Sequence, residues 1–403
     1  MIAPNVIIAA CIRGPAMPGT QLDRRAFLSI GAASAMVATL GGATWRKALG
    51  ASAVVGESPY GPLGTPDPRG VALPNGFSAR LLATTDQVVK GTHYTWHGQP
   101  DGASCFAHPE EGWVYVSNSE LNGTRGGAGA LRFAADGSIE SAYPVLHGTK
   151  WNCAGGATPW HTWLSCEEHR AGFVWECDPF RAGQGIARPG LGKFPHEAAA
   201  IDPTTSIVYL TEDDYDSRLY RFRPERWGDL SSGVLEAAVL KPNNTLQWIA
   251  VSPEKPYRGS DTTGFQRGEG AWFASGVLYF CTTADDRVWA HDVQNGTLEI
   301  IYDAATAGAG AALHSPDNVT VHAGSGDIYV AEDGDDLQLV LLADRSGQRI
   351  VAPFLQLTGH DRSEITGPAF SPDGSRLYFS SQRGRDGKLG MTFEVTGPFR
   401  AGT

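Results

Sequence analysis

The sequence predicts an all-β protein, a six-bladed β-propeller, and three observations favour this fold class. An apolar run that ends in polar or acidic residues occurs six times along the 403-residue chain. Fifty glycines and 25 prolines indicate many tight turns, more than long helices need. Eleven tryptophans suit strands and aromatic packing between sheets.

The six runs are almost regularly spaced. They lie at 113–120, 162–168, 207–214, 277–283, 327–333 and 376–382, with one interval clearly longer than the others. A unit of about fifty residues fits a four-stranded propeller blade. Several runs follow another strand and a turn, as at 198–203, 319–323 and 369–374, so each pair predicts the inner half of a blade. An all-β sandwich or two barrels is the alternative, which the regular spacing disfavours.

Two further segments complete the predicted ring. Residues 78–83 form an extra strand that we expect to pair with the last strand, 391–395. This pairing would join the chain ends and remove exposed sheet edges. The long interval is expected to hold an insertion near 223–262, outside the regular sheet, because that stretch contains Pro224, Pro242, Pro253 and Pro256.

The first 53 residues are predicted to be a targeting segment and linker, and residues 54–403 a single propeller domain. Arg24 and Arg25 form a twin-arginine pattern, with a weakly apolar stretch at 26–43 and small residues at 51–53 that suit cleavage. Ser, Thr and Gly interrupt the apolar stretch too often for a stable membrane span. We therefore expect the twin-arginine export machinery as a partner and a periplasmic or extracellular location. That pathway carries proteins that fold, often around a cofactor, before they cross the membrane.

Charge and cysteine content narrow the function. A net charge of −11 disfavours nucleic acid and anionic membranes as partners, whereas acidic clusters favour hard cations. Five of the six cysteines follow the targeting segment, without a CxxC pair or zinc-finger spacing. Because five is an odd number, at least one thiol is free or binds a ligand.

Acidic residues recur at equivalent places in the repeats. Innermost propeller strands line the central channel, so residues at matched strand ends converge on one axis. A ring of carboxylates there repels strongly unless some are protonated or cations bind, and oxygen ligands favour Ca²⁺ or Mg²⁺. The alternative for each acid is a strand end that turns towards solvent. The acids at the run ends and at the starts of the preceding strands are Glu120, Glu167, Glu168, Glu212, Asp213, Glu332 and Asp333, and Glu197, Glu269 and Asp317.

Two other residues add to this predicted metal pocket. A Cys153 thiolate beside oxygen ligands would recruit a softer transition metal such as iron; the alternative is a small buried apolar side chain. The Arg267 guanidinium, two residues before Glu269, is suited to a bidentate grip on an oxyanion; the alternative is a structural salt bridge.

The motifs that carry these residues resemble those of a known family. Asn152-Cys-Ala-Gly-Gly156, Thr158-Pro-Trp160, Thr162-Trp-Leu164 and Cys166-Glu-Glu168 resemble the signature block of the PhoX-type alkaline phosphatases. Three later motifs follow in that family's order, and two earlier ones resemble its opening segment: His196-Glu197, Arg267-Gly-Glu269 and Ser315-Pro-Asp-Asn318, and Asp101-Gly102 and Asn118-Ser-Glu120. The family often has Asn-His-Glu where this chain has Asn118-Ser119-Glu120, and this chain is short for the family.

The resemblance implies a fold, an activity and a set of site residues. It implies a six-bladed propeller that binds iron (Fe³⁺) with calcium and hydrolyses small phosphate esters. Carried over by position, Cys153 and Glu168 would be iron ligands, and Glu197 and Glu269 would be shared between iron and calcium. Asp317 and Glu332 would be calcium ligands, and Arg267 would bind the phosphate group.

The sequence therefore yields one leading hypothesis and two rivals. The leading hypothesis is metal-assisted phosphomonoester hydrolysis, in which cations neutralise the phosphate and Arg267 stabilises the charge that develops. A calcium-dependent lactonase-like propeller hydrolase would need no iron and would gain nothing from Cys153. A non-catalytic propeller that binds calcium structurally would show no turnover.

Overall fold

The computed structural model confirms the predicted six-bladed β-propeller. It describes residues 52–307, 310–334, 336–345 and 347–401. Six sheets, whose consecutive strands pair antiparallel, are arranged so that their first strands follow one another around a closed ring. The twin-arginine pattern and the apolar stretch after it lie outside the described residues.

Blades 1 to 3 follow one another along the chain. Blade 1 consists of β4 (Pro100–Ala107), β5 (Trp113–Ser119), β6 (Gly126–Phe133) and β7 (Ile139–Thr149). Blade 2 consists of β8 (Asn152–Ala157), β9 (Trp163–Glu167), β10 (Val174–Cys177) and β11 (Ile186–Ala187), followed by a 3-10 turn at Pro189–Leu191. Blade 3 has five strands: β12 (His196–Asp202), β13 (Ile207–Glu212), β14 (Tyr220–Arg226), β15 (Asp229–Leu240) and β16 (Leu246–Ala250).

Blades 4 to 6 complete the ring. Blade 4 consists of β17 (Gly268–Ala274), β18 (Val277–Thr282), β19 (Arg287–Asp292) and β20 (Thr297–Asp303), followed by the short helix α1 (Ala304–Ala307). Blade 5 contains β21 (Pro316–Val321), β22 (Ile328–Glu332), β23 (Gln338–Arg345) and β24 (Gln348–Leu357), and β24 also pairs with β1 (Val54–Val55) and β2 (Val71–Ala72). Blade 6 contains β25 (Ile365–Phe370), β26 (Arg376–Ser381), β27 (Met391–Thr396) and β3 (Ser78–Thr84).

The recurring runs form the second strand of every blade, and the apolar core lies between the blades. Each second strand alternates large apolar residues towards its two neighbouring blades, so six apolar clusters form, one at each seam. Because each cluster needs residues from two blades, no blade can bury its apolar faces alone. This packing presents the inner strands to the central axis, where the candidate site lies.

Blade 6 closes the ring with a strand from the start of the domain, as the sequence predicts. β3 pairs with β27 in antiparallel register, with Ser78 opposite Thr396 and Thr84 opposite Met391. Main-chain hydrogen bonds thus join the two ends of the propeller, and β3 replaces β27 as the outer edge strand of blade 6.

The long interval requires a correction, because most of residues 223–262 belong to the sheet. β14 ends within this range, and β15 and β16 lie inside it. Pro224 is accommodated at a register shift between β14 and β15, Pro242 lies in the turn before β16, and only 251–267 forms a loop. Prolines at bulges and turns need no ladder N–H, so they mark irregular points in a strand pair as well as loops.

The N-terminal segment and the cysteines also have defined environments. Ala53 is buried and its N–H donates to the Ile301 carbonyl at 2.8 Å, so the described chain is docked on the propeller from its start. All five cysteines within the described residues are free thiols, four of them buried. Within the described residues, no helix has the length and apolar character needed to cross a membrane.

Candidate metal centre

Every inner strand carries a β-bulge near its N-terminal end, and in blade 6 the bulge lies one residue later than in the other blades. The pairing of the first with the second strand of each blade skips two residues, near the N-terminal end of the first strand. A bulge turns an additional side chain out of the ladder and is frequent beside functional sites. The first skipped residues form a ring, here called the bulge ring: Asp101, Cys153, Glu197, Glu269, Asp317 and Gly367.

A second ring lies where each second strand ends. Its residues, here called the rim ring, donate a backbone N–H to the carbonyl of the residue before the inner strand, at 2.8–3.1 Å in all six blades. Four of the accepting residues have a positive φ of 44–54° without being glycine, namely Gln99, Trp151, Arg267 and Ser315. Such conformations persist where the surrounding structure enforces them, and they are concentrated at functional sites. The rim ring is Glu120, Glu168, Asp213, Thr283, Asp333 and Gln382.

The two rings enclose one pocket. It has a volume of about 180 Å³ and is lined by five bulge-ring and five rim-ring residues, together with Arg267, Glu364 and Arg383. Nine carboxylates and two guanidinium groups face this space. The carboxylates outnumber the guanidinium groups, so they repel one another unless some are protonated or cations bind.

The structure corrects the expectation for Glu332. Its Oε1 accepts the His314 N–H at 2.7 Å and its Oε2 accepts the Gln338 N–H at 3.0 Å, so both oxygens hold backbone segments. The next residue, Asp333, lines the pocket instead. The acid that precedes the rim residue also holds the backbone in blades 2 and 3. Glu167 accepts the Phe173 N–H and Glu212 accepts the Arg218 N–H.

In blades 2 and 5, the Oε1 of this glutamate accepts a second backbone N–H. In blade 3, the Oε1 of Glu212 accepts from an arginine side chain instead. Arg258 donates from Nη2 to Glu212 Oε1 at 2.7 Å and from Nη1 to Oε2 at 3.0 Å. The Glu212 side chain is fully buried, so this pair binds the loop 251–267 to the blade. Arg267 lies at the end of that loop, and the contact therefore restrains its approach to the pocket.

Three groups of side chains in the pocket can each hold a cation. Within each group the ligand atoms lie within 4.8 Å of one another. The first combines a thiol with two carboxylates, and the other two contain only carboxylates. The groups are Cys153, Glu168 and Glu197; Glu197, Glu269 and Asp317; and Asp101, Glu120 and Glu364. Glu197 belongs to two groups, so its carboxylate can bridge two cations.

Burial and mutual repulsion perturb these acids strongly. Burial raises the pKa of Asp101 to about 6, of Glu120 to about 7 and of Glu269 to about 8. Nearby carboxylates add to the rise in pKa at the last two residues. Burial followed by the charge of Glu269 also raises the pKa of Glu197 and Asp317 well above the usual range. Without cations the pocket therefore holds protons near neutral pH.

The residues fit a metal on a further observation. Glu197 is buried, and its Oε2 has no hydrogen-bond partner among the described residues, while its Oε1 lies 3.5 Å from Cys153 Sγ. A buried carboxylate oxygen without a partner is costly unless a cation or water reaches it. Burial, followed by the charge of Asp101, raises the pKa of the Cys153 thiol, and metal ligation is the usual way to form a thiolate under such conditions.

Cys153 is held in place by a buried amide, Asn118, which is not among the predicted site residues. Asn118 donates from Nδ2 to the Cys153 carbonyl at 3.1 Å and to the Ala154 carbonyl at 2.8 Å. Its Oδ1 accepts from Trp163 Nε1 and Ser165 Oγ at 2.9 and 2.8 Å. Its hydrogen bonds thus tie the bulge of blade 2 to blade 1.

Glycines allow the inner strands to approach closely enough to form the ring. A Cβ on Gly102 would lie 2.4 Å from the Ala154 Cα, and one on Gly270 would lie 2.7 Å from the Asn318 Cα. Real side chains do not reach such distances from backbone atoms, so these positions require glycine.

Arg267 occupies the seam between blades 3 and 4. Its Nε and Nη2 donate to the two oxygens of Asp213 at 2.8 and 2.7 Å, and Nη2 also lies 3.2 Å from Glu269 Oε1. The hydrogen bonds to Asp213 raise the pKa of Arg267, so its guanidinium stays charged. The salt-bridge alternative considered for this residue is therefore present, and Arg267 still lines the pocket.

The structure brings together six of the seven site residues that the sequence predicts. Five predicted metal ligands belong to the three groups and Arg267 lies beside them, whereas Glu332 lies apart. The matched strand ends also predict Glu120, Asp213 and Asp333 near the axis, and all three line the pocket. Asp101, Glu364, Gln382 and Arg383 line the pocket without having been predicted as site residues.

The fold and site define a six-bladed propeller with an acidic candidate metal centre at its axis. The sequence model of the family alkaline phosphatase PhoX matches residues 107–171 and 168–384, which is more than half of the chain. The chain therefore belongs to the PhoX alkaline phosphatase family. A search of curated proteins gives no match.

Solved structures resemble this fold at low sequence identity. Pseudomonas fluorescens PhoX in complex with vanadate, a transition state analogue, aligns with a TM-score of 0.67 and 17% identity, over 83% of this chain and 97% of that chain. The gluconolactonase XC5397 from Xanthomonas campestris aligns with a TM-score of 0.50 and 14% identity, over 85% and 99%. A Bacteroides thetaiotaomicron protein of unknown function aligns with a TM-score of 0.52 and 12% identity, over 79% and 76%.

Proposed function

We propose that this protein hydrolyses phosphate monoesters in the pocket formed by the bulge and rim rings. The observation that carries the proposal is the pair of acidic groups that share Glu197, in the same pocket as the Arg267 guanidinium. A phosphoryl group needs positive charge on several oxygens at once, and this arrangement can supply it from bound cations and an arginine. Membership of an alkaline phosphatase family supports this reaction class.

We propose different metals for the different groups. Cys153, Glu168 and Glu197 would hold iron, because a thiolate beside carboxylates favours a transition metal. Glu197, Glu269 and Asp317 would hold calcium, as would Asp101, Glu120 and Glu364, because carboxylate oxygens favour a hard cation. The shared carboxylate of Glu197, with an oxygen that lacks a hydrogen-bond partner among the described residues, suits a bridge between the two metals.

When bound, these metals would supply charge neutralisation and Lewis-acid activation to the phosphoryl group. Asp213 fixes the plane of the Arg267 guanidinium through two hydrogen bonds, and Nη1 has no partner among the described residues. Nη1 can therefore donate to a phosphoryl oxygen while Arg267 stays paired with Asp213. The vanadate bound as a transition-state analogue by the Pseudomonas fluorescens relative supports an oxyanion role for this pocket.

Metal exchange tests the proposal. Purified protein is stripped with a chelator and reloaded with calcium alone, iron alone or both, and turnover of p-nitrophenyl phosphate is measured each time. We expect turnover to disappear on stripping and to return fully only with both metals. Full turnover of the chelated protein, or of a Cys153→Ala variant, would contradict the proposed centre. Calcium-dependent lactone hydrolysis without phosphatase turnover would instead favour the lactonase-like alternative.

We also propose export through the twin-arginine machinery to the periplasm or the cell exterior. The Arg24-Arg25 pattern before an apolar stretch supports this route. Replacement of both arginines by lysine keeps the charge but removes the pattern. We expect that double variant to remain in the cytoplasm of cells that export the native chain, and its export at an undiminished level would refute the route.

A further inference from the structure

A second guanidinium enters the pocket from blade 6. Arg383 directly follows the rim residue Gln382 and lines the pocket. The residues at this position in the other blades are Leu121, His169, Asp214, Ala284 and Gly334, so blade 6 alone supplies an arginine or lysine here.

Arg383 has more free donors than Arg267. Its Nη2 lies 2.7 Å from Glu364 Oε1, and neither Nε nor Nη1 has a partner among the described residues. Its side chain is 36% exposed, and the backbone N–H is fixed by a 2.9 Å hydrogen bond to Ser363 Oγ. Nε and Nη1 of Arg383 each keep hydrogens available to an anion, whereas Nε and Nη2 of Arg267 are used by Asp213.

The two guanidinium groups lie on opposite sides of the ring. Arg267 contacts Asp213 of blade 3 and Glu269 of blade 4. Arg383 contacts Glu364 at the start of blade 6, next to Gln382, whose amide donates to Asp101 and Glu120 of blade 1. In a closed ring of six blades, blade 6, which supplies Glu364, lies opposite blade 3, which supplies Asp213. One small anion at Arg267 is therefore on the far side of the pocket from Arg383.

We propose that Arg383 binds a second anionic group of the substrate, so that the preferred substrates are phosphate esters that also carry a carboxylate or a second phosphate. This inference rests on the proposed function for the phosphoryl half of the substrate. Arg267 and the metal groups hold the reacting phosphate, and Arg383 orients the remainder of the molecule from the opposite rim. A charged hydrogen bond of this type changes affinity by about 10- to 100-fold.

Binding of compounds that cannot be hydrolysed tests the role of Arg383 without turnover. The metal-loaded protein is titrated calorimetrically with 3-phosphonopropionate, with ethane-1,2-diphosphonate and with ethylphosphonate, which has no second anionic group. We expect the native protein to bind one or both of the first two compounds at least about tenfold more tightly than ethylphosphonate. The compound with the larger advantage identifies the second group as carboxylate or phosphate.

Three variants at two positions assign this preference. In Arg383→Gln the advantage should vanish while ethylphosphonate affinity changes less than about threefold, and Arg383→Lys, which keeps the charge but not the planar fork, should be intermediate. Arg385→Gln, an exposed arginine outside the pocket lining, is the matched control and should keep the full advantage. An unchanged advantage in Arg383→Gln, an equal loss for all three compounds, or no advantage in the native protein would overturn the inference. Turnover of p-nitrophenyl phosphate by the native protein separately decides the proposed hydrolysis.

Discussion

Gly270 is the position where the smallest change should damage the site most. It is the second bulged residue of β17, between Glu269 and the neighbouring inner strand of blade 5. A Cβ at this position would lie 2.7 Å from both the Asn318 Cα and the Asp317 carbonyl oxygen, and 2.9 Å from the Val319 nitrogen. All three are backbone atoms, so no side chain can rotate away.

The cost of Gly270→Ala follows from these distances. Ordinary carbon contacts need about 3.5–4.0 Å, so β21 has to move by roughly 1 Å relative to β17. Overpacking of this kind destabilises by about 1–3 kcal/mol. The same shift separates Glu269 from Asp317, and a misplacement of about 1 Å in a reactive site can lower the rate about 100-fold. We therefore expect a moderate loss of stability with a large loss of calcium and turnover.

Denaturant unfolding, metal analysis and p-nitrophenyl phosphate turnover on the same preparation check this prediction. Gly310→Ala is the matched control, because a Cβ there would have no described residue within 4 Å and its φ is not positive. It should behave as the native protein does. A Gly270→Ala protein with native calcium content and turnover would refute the claim that close inner-strand spacing sets the ligand geometry.

Two other predictions concern the support and the charge of the site. Asn118→Leu removes both hydrogen bonds to the Cys153 segment and leaves their buried partners unpaired. The free energy of unfolding should fall by about 2–4 kcal/mol, and mass spectrometry should show that iron is lost before calcium. Native iron content in a destabilised variant would contradict this. In metal-free protein, Asp101, Glu120 and Glu269 have pKa values of about 6, 7 and 8, above those of unfolded chains, so the folded state retains protons that the unfolded state releases. Their contribution to stability is complete at acid pH and is lost as pH rises, so the Tm should fall from pH 5 to pH 8 and calcium should reverse the fall. A Tm that rises over this range would disprove the account.

The fold was predictable because a propeller repeats its burial pattern. Each second strand has to present apolar side chains to two neighbouring blades, and this requirement recurs along the chain as the run that appears at 113–120 and five more times. The closing strand β3 was predictable because it is an apolar segment that precedes the first repeat and belongs to none of them. The five-stranded blade 3 was not, because prolines at bulges and turns resemble those of an excursion.

The site was predictable in part, and the wrong or missing predictions have structural reasons. Consecutive acids such as Glu332 and Asp333 are equivalent in a periodic pattern, and only the backbone N–H groups of His314 and Gln338 distinguish them. His314 lies just before β21 and Gln338 begins β23, so neither partner is adjacent to Glu332 in the sequence. Glu364 and Arg383 lie just outside β25 and β26, so no strand periodicity identifies them. The bulges were also invisible in the sequence, although they decide which inner-strand residues face the axis.

The most direct test of the account is the metal content of the native protein, measured by mass spectrometry beside Cys153→Ala, with phosphatase turnover on the same samples. The account predicts iron and calcium with turnover in the native protein. It predicts loss of iron, retention of calcium and loss of turnover in the variant. Iron-free native protein that hydrolyses p-nitrophenyl phosphate, or a variant that keeps both full iron and full activity, would contradict the central claim that Cys153 belongs to a catalytic metal centre.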